Sequence, residues 1–289
     1  MKTVLPDIAA DTASLELIHL ALEEDIRSGD ATTLSLVPSD VVVDAHILAK
    51  ERCVVSGGGI ARAVFRAIDD AVEVVEVVPD GERAKSGQTI LTIRGPARTV
   101  LTGERTALNF MQRMTGIATL TATFVKRISG HDCAILDTRK TTPGLRSLEK
   151  YAVLCGGGTN HRIGLFDKVM IKDNHRRLWS DGGDGDLGEA VKAARLAYPD
   201  LEIEIEVETE AELRSALKGE PEWILLDNMS ADMMAKCVAI TAGRSKLEAS
   251  GGITLANVEE AAMAGVDAIS LGCLTHSAPS VDLSLEISE

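Results

Sequence analysis

In residues 203–227, IEIEVETEAELRSALKGEPEWILLD, a short apolar run (Ile203 to Ile205) ends at Glu206, and a second (Trp223 to Leu226) ends at Asp227. The intervening residues have room for a helix and two short connections, since a strand, a helix and their links fit in roughly twenty-odd residues. The unit recurs in both directions. Downstream, Leu247–Ala249 precedes Ser250 and Ala268–Leu271 precedes Gly272; upstream, Val169–Ile171 precedes Lys172 and Cys133–Leu136 precedes Asp137. From Glu206 onward the polar end positions are spaced 21, 23 and 22 residues apart. The two earlier intervals, 35 and 34, accommodate one unit plus a long loop. Repeated βα units close into a barrel or part of one, with chemistry at the carboxyl ends of the strands. Six clear strands instead of eight predict an incomplete, open βα barrel; a doubly wound open sheet is the alternative that spacing leaves open.

The remaining sequence predicts a companion domain. Ser14 to Ile26 carries a helical stripe at 15, 18, 22 and 26, and Val41 to Ala49, Val72 to Val78 and Gln88 to Arg94 read as strands. Thr99 to Ile128 reads as helical, with a break near Gly116. At 289 residues the chain is long enough for one large α/β domain and a smaller one. With 45% apolar but only 3% aromatic residues, its core is built from Ala, Val, Ile and Leu. No run approaches the ~18 apolar residues of a membrane helix. The stretch from Met1 to Ala10 lacks the basic and apolar regions of a signal peptide. Five cysteines without a C-x-x-C pair suggest thiols in a reducing cytosol, and hence a cytoplasmic location.

Net charge is −14, which argues against nucleic acid as a partner. Between Asp137 and Arg176, however, eight Lys/Arg face four acids, so this segment carries +4 and the remainder −18. A basic island in an acidic chain suits a small anionic ligand, although a solvated helix face is the plainer explanation.

Three groups of residues could carry chemistry. Arg139, Lys140, His161, Arg162 and Lys172 follow strand ends or the Gly156-Gly157-Gly158 loop. Arg offers a planar fork for carboxylate or phosphate and Lys a point charge, whereas an isolated Arg or Lys is usually a surface ion-pair partner. Glu206 and Asp227 end consecutive strands, which lie about 4.8 Å apart, close enough to share a magnesium ion or a sugar's hydroxyls, or to act as a general acid/base pair. Glu202, Glu204, Glu206 and Glu208 share one strand face, and spacing leaves open whether it turns inward or to solvent. Ser250-Gly251-Gly252 precedes a helix expected near Thr254, with Ser270-Leu271-Gly272 one unit later; glycines and a helix start admit a phosphate, although a Gly pair is otherwise only a turn. Together these residues describe a phosphosugar-processing enzyme.

The series Asp137-Thr138-Arg139-Lys140-Thr141-Thr142-Pro143-Gly144-Leu145-Arg146, Asn160-His161-Arg162 and Ile171-Lys172-Asp173-Asn174-His175 carries the reading further. With Glu104-Arg105-Thr106-Ala107-Leu108-Asn109, Leu226-Asp227-Asn228, Glu248-Ala249-Ser250-Gly251-Gly252 and Leu274-Thr275-His276, it closely resembles the quinolinate phosphoribosyltransferase family over nearly the whole chain. The resemblance implies an N-terminal α/β sandwich domain (1–112), an open barrel of about seven strands (113–273) and a tail (274–289) returning to the first domain. It implies phosphoribosyl transfer from phosphoribosyl pyrophosphate to quinolinate with decarboxylation, a magnesium requirement, and a step of NAD biosynthesis. It also implies a homodimer, or a higher assembly such as a hexamer, with Arg105 serving the neighbouring site.

By the same resemblance Arg139, His161 and Arg162, with Lys140, hold the quinolinate carboxylates, Thr138 is a further substrate-binding residue, and Lys140 and Lys172 flank the pyrophosphate. Glu206 and Asp227 meet ribose and magnesium, and Ser250, Gly251, Gly252, Ser270, Gly272 and His276 bind the phosphate end. Lys140, Lys172, Glu206 and Asp227 are the expected catalytic residues. Three other classes remain in view: a molybdenum-transport-associated paralogue with another acceptor, a Schiff-base aldolase using Lys172, and a silent metabolite sensor.

Overall fold

The computed structural model describes residues 5–179 and 186–288; the first four residues of the 1–10 stretch lie outside them. In chain order the elements are α1 (Thr12–Ile26), α2 (Ala31–Leu36), β1 (Val42–Ala49), β2 (Cys53–Val54), α3 (Gly58–Ile68), β3 (Glu73–Glu76), β4 (Arg83–Ala84), β5 (Thr89–Pro96) and α4 (Ala97–Arg127). Then follow β6 (Ala134–Leu136), α5 (Arg146–Cys155), β7 (Val169–Ile171), α6 (Asp173–Leu178), α7 (Leu187–Ala197), β8 (Ile203–Val207), α8 (Glu210–Ala216) and β9 (Trp223–Asp227). The last are α9 (Ala231–Thr241), β10 (Lys246–Ser250), α10 (Val258–Met263), β11 (Ala268–Ser270), α11 (Cys273–His276) and β12 (Leu283–Ile287). No helix among the described residues is long and apolar enough to cross a membrane.

The chain forms two compact units. The first takes residues 5–123, 140–158 and 273–288, and the second takes 124–139 and 159–272. The domain boundary expected at 112/113 therefore falls inside α4, and the segment 140–158 packs in the first unit instead of the barrel. In that segment α5 buries Leu148, Tyr151, Ala152 and Val153.

In the first unit an antiparallel sheet runs in the order β12-β1-β5-β3. The tail supplies an edge strand, pairing Ala45 with Ile287 through Ala49 with Leu283. Ile47, Ile90, Leu91 and Ile93 from the sheet and Ile60, Val64 and Phe65 from α3 are fully buried, with the helix stripe 60-61-64-65 turned to the core.

The helical break expected near Gly116 does not occur, because α4 is continuous. Glycine there answers a close approach: a Cβ on Gly116 would fall well inside van der Waals contact of the Pro279 carbonyl oxygen. Alanine is favoured over glycine in a helix by about 1 kcal/mol. Gly116→Ala is nevertheless expected to destabilise the protein, by about 1–3 kcal/mol of overpacking. A denaturant melt checks it, and a stabilised variant would refute the contact.

In the second unit six parallel strands run in the order β6-β11-β10-β9-β8-β7. Strands β6 and β7 are consecutive in the chain yet occupy opposite edges, so the barrel is open. A seventh strand is reduced to one bridge, Thr159 beside Leu136, with Thr159 N–H donating to Ile135 O at 2.8 Å. The parallel register pairs Glu206 with Leu225, Glu248 with Leu225 and Ala268, and Ser250 with Asp227. Alternation then sorts the side chains. Ile203, Ile205, Val207, Ile224, Leu226, Leu247 and Ala249 are buried on one face. Glu204, Glu206, Asp227, Glu248, Ser250 and Ser270 share the other.

Candidate active site

The acidic face of β8 is turned inward at its middle and opens toward its end. Glu202 is exposed, Glu204 has no solvent exposure, Glu206 is half-buried and Glu208 is exposed. A buried carboxylate costs several kcal/mol unless it is paired, roughly as for any desolvated ion. Glu204 is paired twice, with Lys168 Nζ at 3.0 Å and His161 Nε2 at 3.0 Å. Lys168 also lies 4.7 Å above the Trp223 ring, which suits a cation. Burial opposes ionisation of Glu204, but His161 and Lys168 outweigh it and hold its pKa down at about 2. His161 Nε2 also approaches buried Glu248 at 3.2 Å. Burial, reinforced by the Glu204 charge, pushes the Glu248 carboxyl up.

Two influences compete at His161. Burial lowers its pKa, but hydrogen bonds to Glu204 and Glu248 outweigh that and raise it to about 9. The Arg162 N–H, however, donates to Nδ1 at 2.7 Å, which requires a lone pair there. That contact favours a ring carrying its proton on Nε2, the nitrogen facing Glu204 and Glu248.

Above this cluster sit the groups at the strand ends. Lys172, at the N-terminus of α6, places Nζ 3.3 Å from Glu206. Arg176 donates to the Glu206 carbonyl at 3.0 Å and pairs with Glu212. Carboxylate oxygens of Glu206, Glu208 and Asp227 lie within 4.8 Å of one another, an all-oxygen donor set of the hard kind that magnesium takes.

Arg139 and Arg162 differ from these cations, since neither makes an ion pair among the described residues. Arg139 Nε is buried without a hydrogen-bond partner. Arg162 donates through Nη1 to Lys168 O at 3.1 Å, and its pKa is lowered by burial and then by the Arg139 charge. Two guanidiniums held together in this way form a receptor for an anion.

At the same carboxyl ends of the strands, Ser270 Oγ donates to Ser250 Oγ at 3.1 Å. Gly251 and Gly252 take φ of +85° and +64°, and Gly251 abuts the Asn228 side chain so closely that no Cβ fits. The helix expected near Thr254 begins later, at Val258, and has six residues. Asn257 accepts from Thr254 N at 2.7 Å and holds 254–257 as a turn. The glycine backbone, not a helix N-terminus, is what this loop presents.

Of the expected residues, Thr138, Arg139, His161, Arg162, Lys172, Glu206, Asp227, Ser250, Gly251, Gly252, Ser270 and Gly272 lie in the second unit, and Arg105, Lys140 and His276 in the first. Arg105 is largely exposed on α4, with Glu104 3.8 Å away. The Lys140 carbonyl accepts from Thr275 Oγ1 at 2.8 Å, and His276 is exposed. The basic island also divides: Lys140, Arg146 and Lys150 belong to the first unit, the other five cations to the second. Glu204, Glu248 and Lys168 were not among the expected site residues; the shared parity of Glu204 and Glu206 was the signal available for the first of them.

An open βα barrel that gathers an unpaired arginine couple, a carboxylate cluster and glycine turns at its strand ends defines an enzyme of phosphorylated, polyanionic substrates. Within that class the chain belongs to the quinolinate phosphoribosyltransferase family: residues 30–115 match quinolinate phosphoribosyl transferase, N-terminal domain, and residues 117–286 match the C-terminal domain. It is 42% identical to nicotinate-nucleotide pyrophosphorylase (carboxylating) of Mycobacterium leprae (strain TN), over 98% of this chain and 100% of that protein. It is also 42% identical to the probable enzyme of the same name from Bacillus subtilis (strain 168), over 94% and 92%. A solved nicotinate-nucleotide pyrophosphorylase from Francisella tularensis shares the fold with a TM-score of 0.90 at 35% identity, covering 99% of this chain and 98% of that one.

Proposed function

We propose that the protein transfers the phosphoribosyl group of phosphoribosyl pyrophosphate to quinolinate and decarboxylates the adduct, giving nicotinate mononucleotide, pyrophosphate and carbon dioxide. The observation that carries this reading is the Arg139–Arg162 couple, whose buried, unpartnered Nε and mutual repulsion fit the two adjacent carboxylates of quinolinate. Thr138 and His161 complete that pocket, and Lys172 flanks the pyrophosphate. Ser250, Gly251, Gly252, Ser270 and Gly272 take the ribose phosphate. Arg105 completes the site of a second subunit in a homodimer. Five free cysteines suit a cytoplasmic protein.

Glu206 and Asp227, with Glu208 beside them, would hold magnesium, which supplies charge neutralisation for the pyrophosphate. As the C1–oxygen bond to pyrophosphate breaks, positive charge grows on the ribose, and the Glu206 and Asp227 carboxylates stabilise it. The pyridine nitrogen donates its pair to C1 and becomes a pyridinium. That cation accepts the electrons of the C2–carboxylate bond as carbon dioxide leaves, and C2 then takes a proton. The arginines orient the dicarboxylate for attack, a contribution of positioning and electrostatics. A Schiff-base route is disfavoured because the Lys172 amine is paired with Glu206.

Quinolinate labelled in its C2 carboxylate is expected to release labelled carbon dioxide only with phosphoribosyl pyrophosphate and magnesium present. Pyrophosphate release with another acceptor and none with quinolinate would replace this reading with that of the paralogue.

A further inference from the structure

We infer that Glu204 and Glu248 are positioning residues that brace Arg162 through the His161 ring. The segment 160–168 between the Thr159 bridge and β7 has no helix or strand of its own, yet it carries one of the two arginines proposed to grip quinolinate. Three surrounding elements fix it instead. His161 N–H donates to Asp137 Oδ1, just beyond β6, at 2.9 Å. The ring's Nε2 meets Glu204 on β8 at 3.0 Å and Glu248 on β10 at 3.2 Å. Its Nδ1 receives the Arg162 amide at 2.7 Å. The Arg162 guanidinium then donates to the carbonyl of Lys168, whose own ammonium returns to Glu204.

Balancing Lys168 needs only one acid, and Glu204 supplies it. Glu248 lies in register between Leu225 and Ala268, where an apolar side chain would pack without desolvating a carboxylate. Among the described residues its ion-pair contact is His161 alone. A costly buried acid whose partner abuts the Arg162 backbone has the arrangement of a brace, because a displacement of about 1 Å in a substrate-orienting group can cost a hundredfold in rate.

The kinetic part of the test rests on the quinolinate reading, so it is paired with a measurement that does not. In Glu248→Gln kcat/KM for quinolinate is expected to fall about tenfold, with the KM for phosphoribosyl pyrophosphate changed less than about twofold. In an Arg162→Ala background the same substitution should add almost nothing, the non-additivity of residues acting through one another. Independently of any substrate, amide hydrogen exchange in Glu248→Gln should quicken selectively across 161–168. Should that variant not fold, His161→Asn, whose amide cannot span both carboxylates, is judged by the same exchange. Unchanged exchange over 161–168, or additive effects with Arg162→Ala, overturns the brace. A wild-type protein that releases no carbon dioxide from quinolinate overturns the proposed function, and the exchange result still decides for or against the brace.

Discussion

Arg139→Ala is expected to lower kcat/KM for quinolinate by about a thousandfold while leaving the folded protein as stable as before, or slightly more so. The opposite signs follow from the free-state geometry. Arg139 has a buried Nε with no partner, and its charge bears on Arg162, so in the unliganded protein it contributes repulsion and incomplete hydrogen bonding. Removing it relieves both, so the stability change is expected to be small, within about 0.5 kcal/mol of zero or slightly favourable. With substrate bound, the same deletion leaves a desolvated carboxylate without its counter-charge, a loss of about 2–5 kcal/mol. Each tenfold in rate corresponds to about 1.4 kcal/mol, so about 4 kcal/mol gives the thousandfold. Thermal melts and steady-state kinetics on one preparation decide the matter. A melt lowered by several degrees would make Arg139 a structural residue, and near wild-type turnover in a folded variant would remove it from the site.

This separation between stability and activity also marks what was legible in the sequence. All six parallel strands were readable, since each is a short apolar run ending in a polar residue, and the observed ends Ile171, Asp227, Ser250 and Ser270 fall within two residues of the expected ones. Register follows from the same alternation, which is why Glu206, Asp227 and Ser250 come to neighbouring positions. Close approaches in space were not legible. Gly116 reads as a helix breaker because the Pro279 carbonyl that excludes a side chain lies more than 160 residues away in the chain. The buried acids were hidden for a similar reason: Glu204 and Glu206 have the same parity, and only the arrival of Lys168 and His161 makes one of them a core ion pair. Periodicity assigns a face, while the partners that make a charge tolerable there come from distant segments.

Asp227→Asn tests the other half of the site and is expected to cost about a hundredfold to a thousandfold in turnover, with most of the magnesium dependence lost. Glu206, Glu208 and Asp227 bring three carboxylates within 4.8 Å, and Lys172 at 3.3 Å from Glu206 offsets only part of that charge. At such a separation like charges repel by about 1 kcal/mol in water and about 4 kcal/mol where the effective dielectric falls to 20. The free protein therefore gains or keeps stability when Asp227 becomes neutral. The loaded enzyme loses a hard oxygen ligand and a carboxylate that stabilises the electron-poor ribose, which is why the effect on rate is large. Titration calorimetry with magnesium and phosphoribosyl pyrophosphate provides a readout apart from turnover: Asp227→Asn should weaken their joint binding at least tenfold, while quinolinate binding stays near that of the wild type. An unaltered magnesium optimum with normal turnover would move the metal away from this cluster. Weaker quinolinate binding with intact magnesium affinity would instead assign Asp227 to the acceptor side of the pocket.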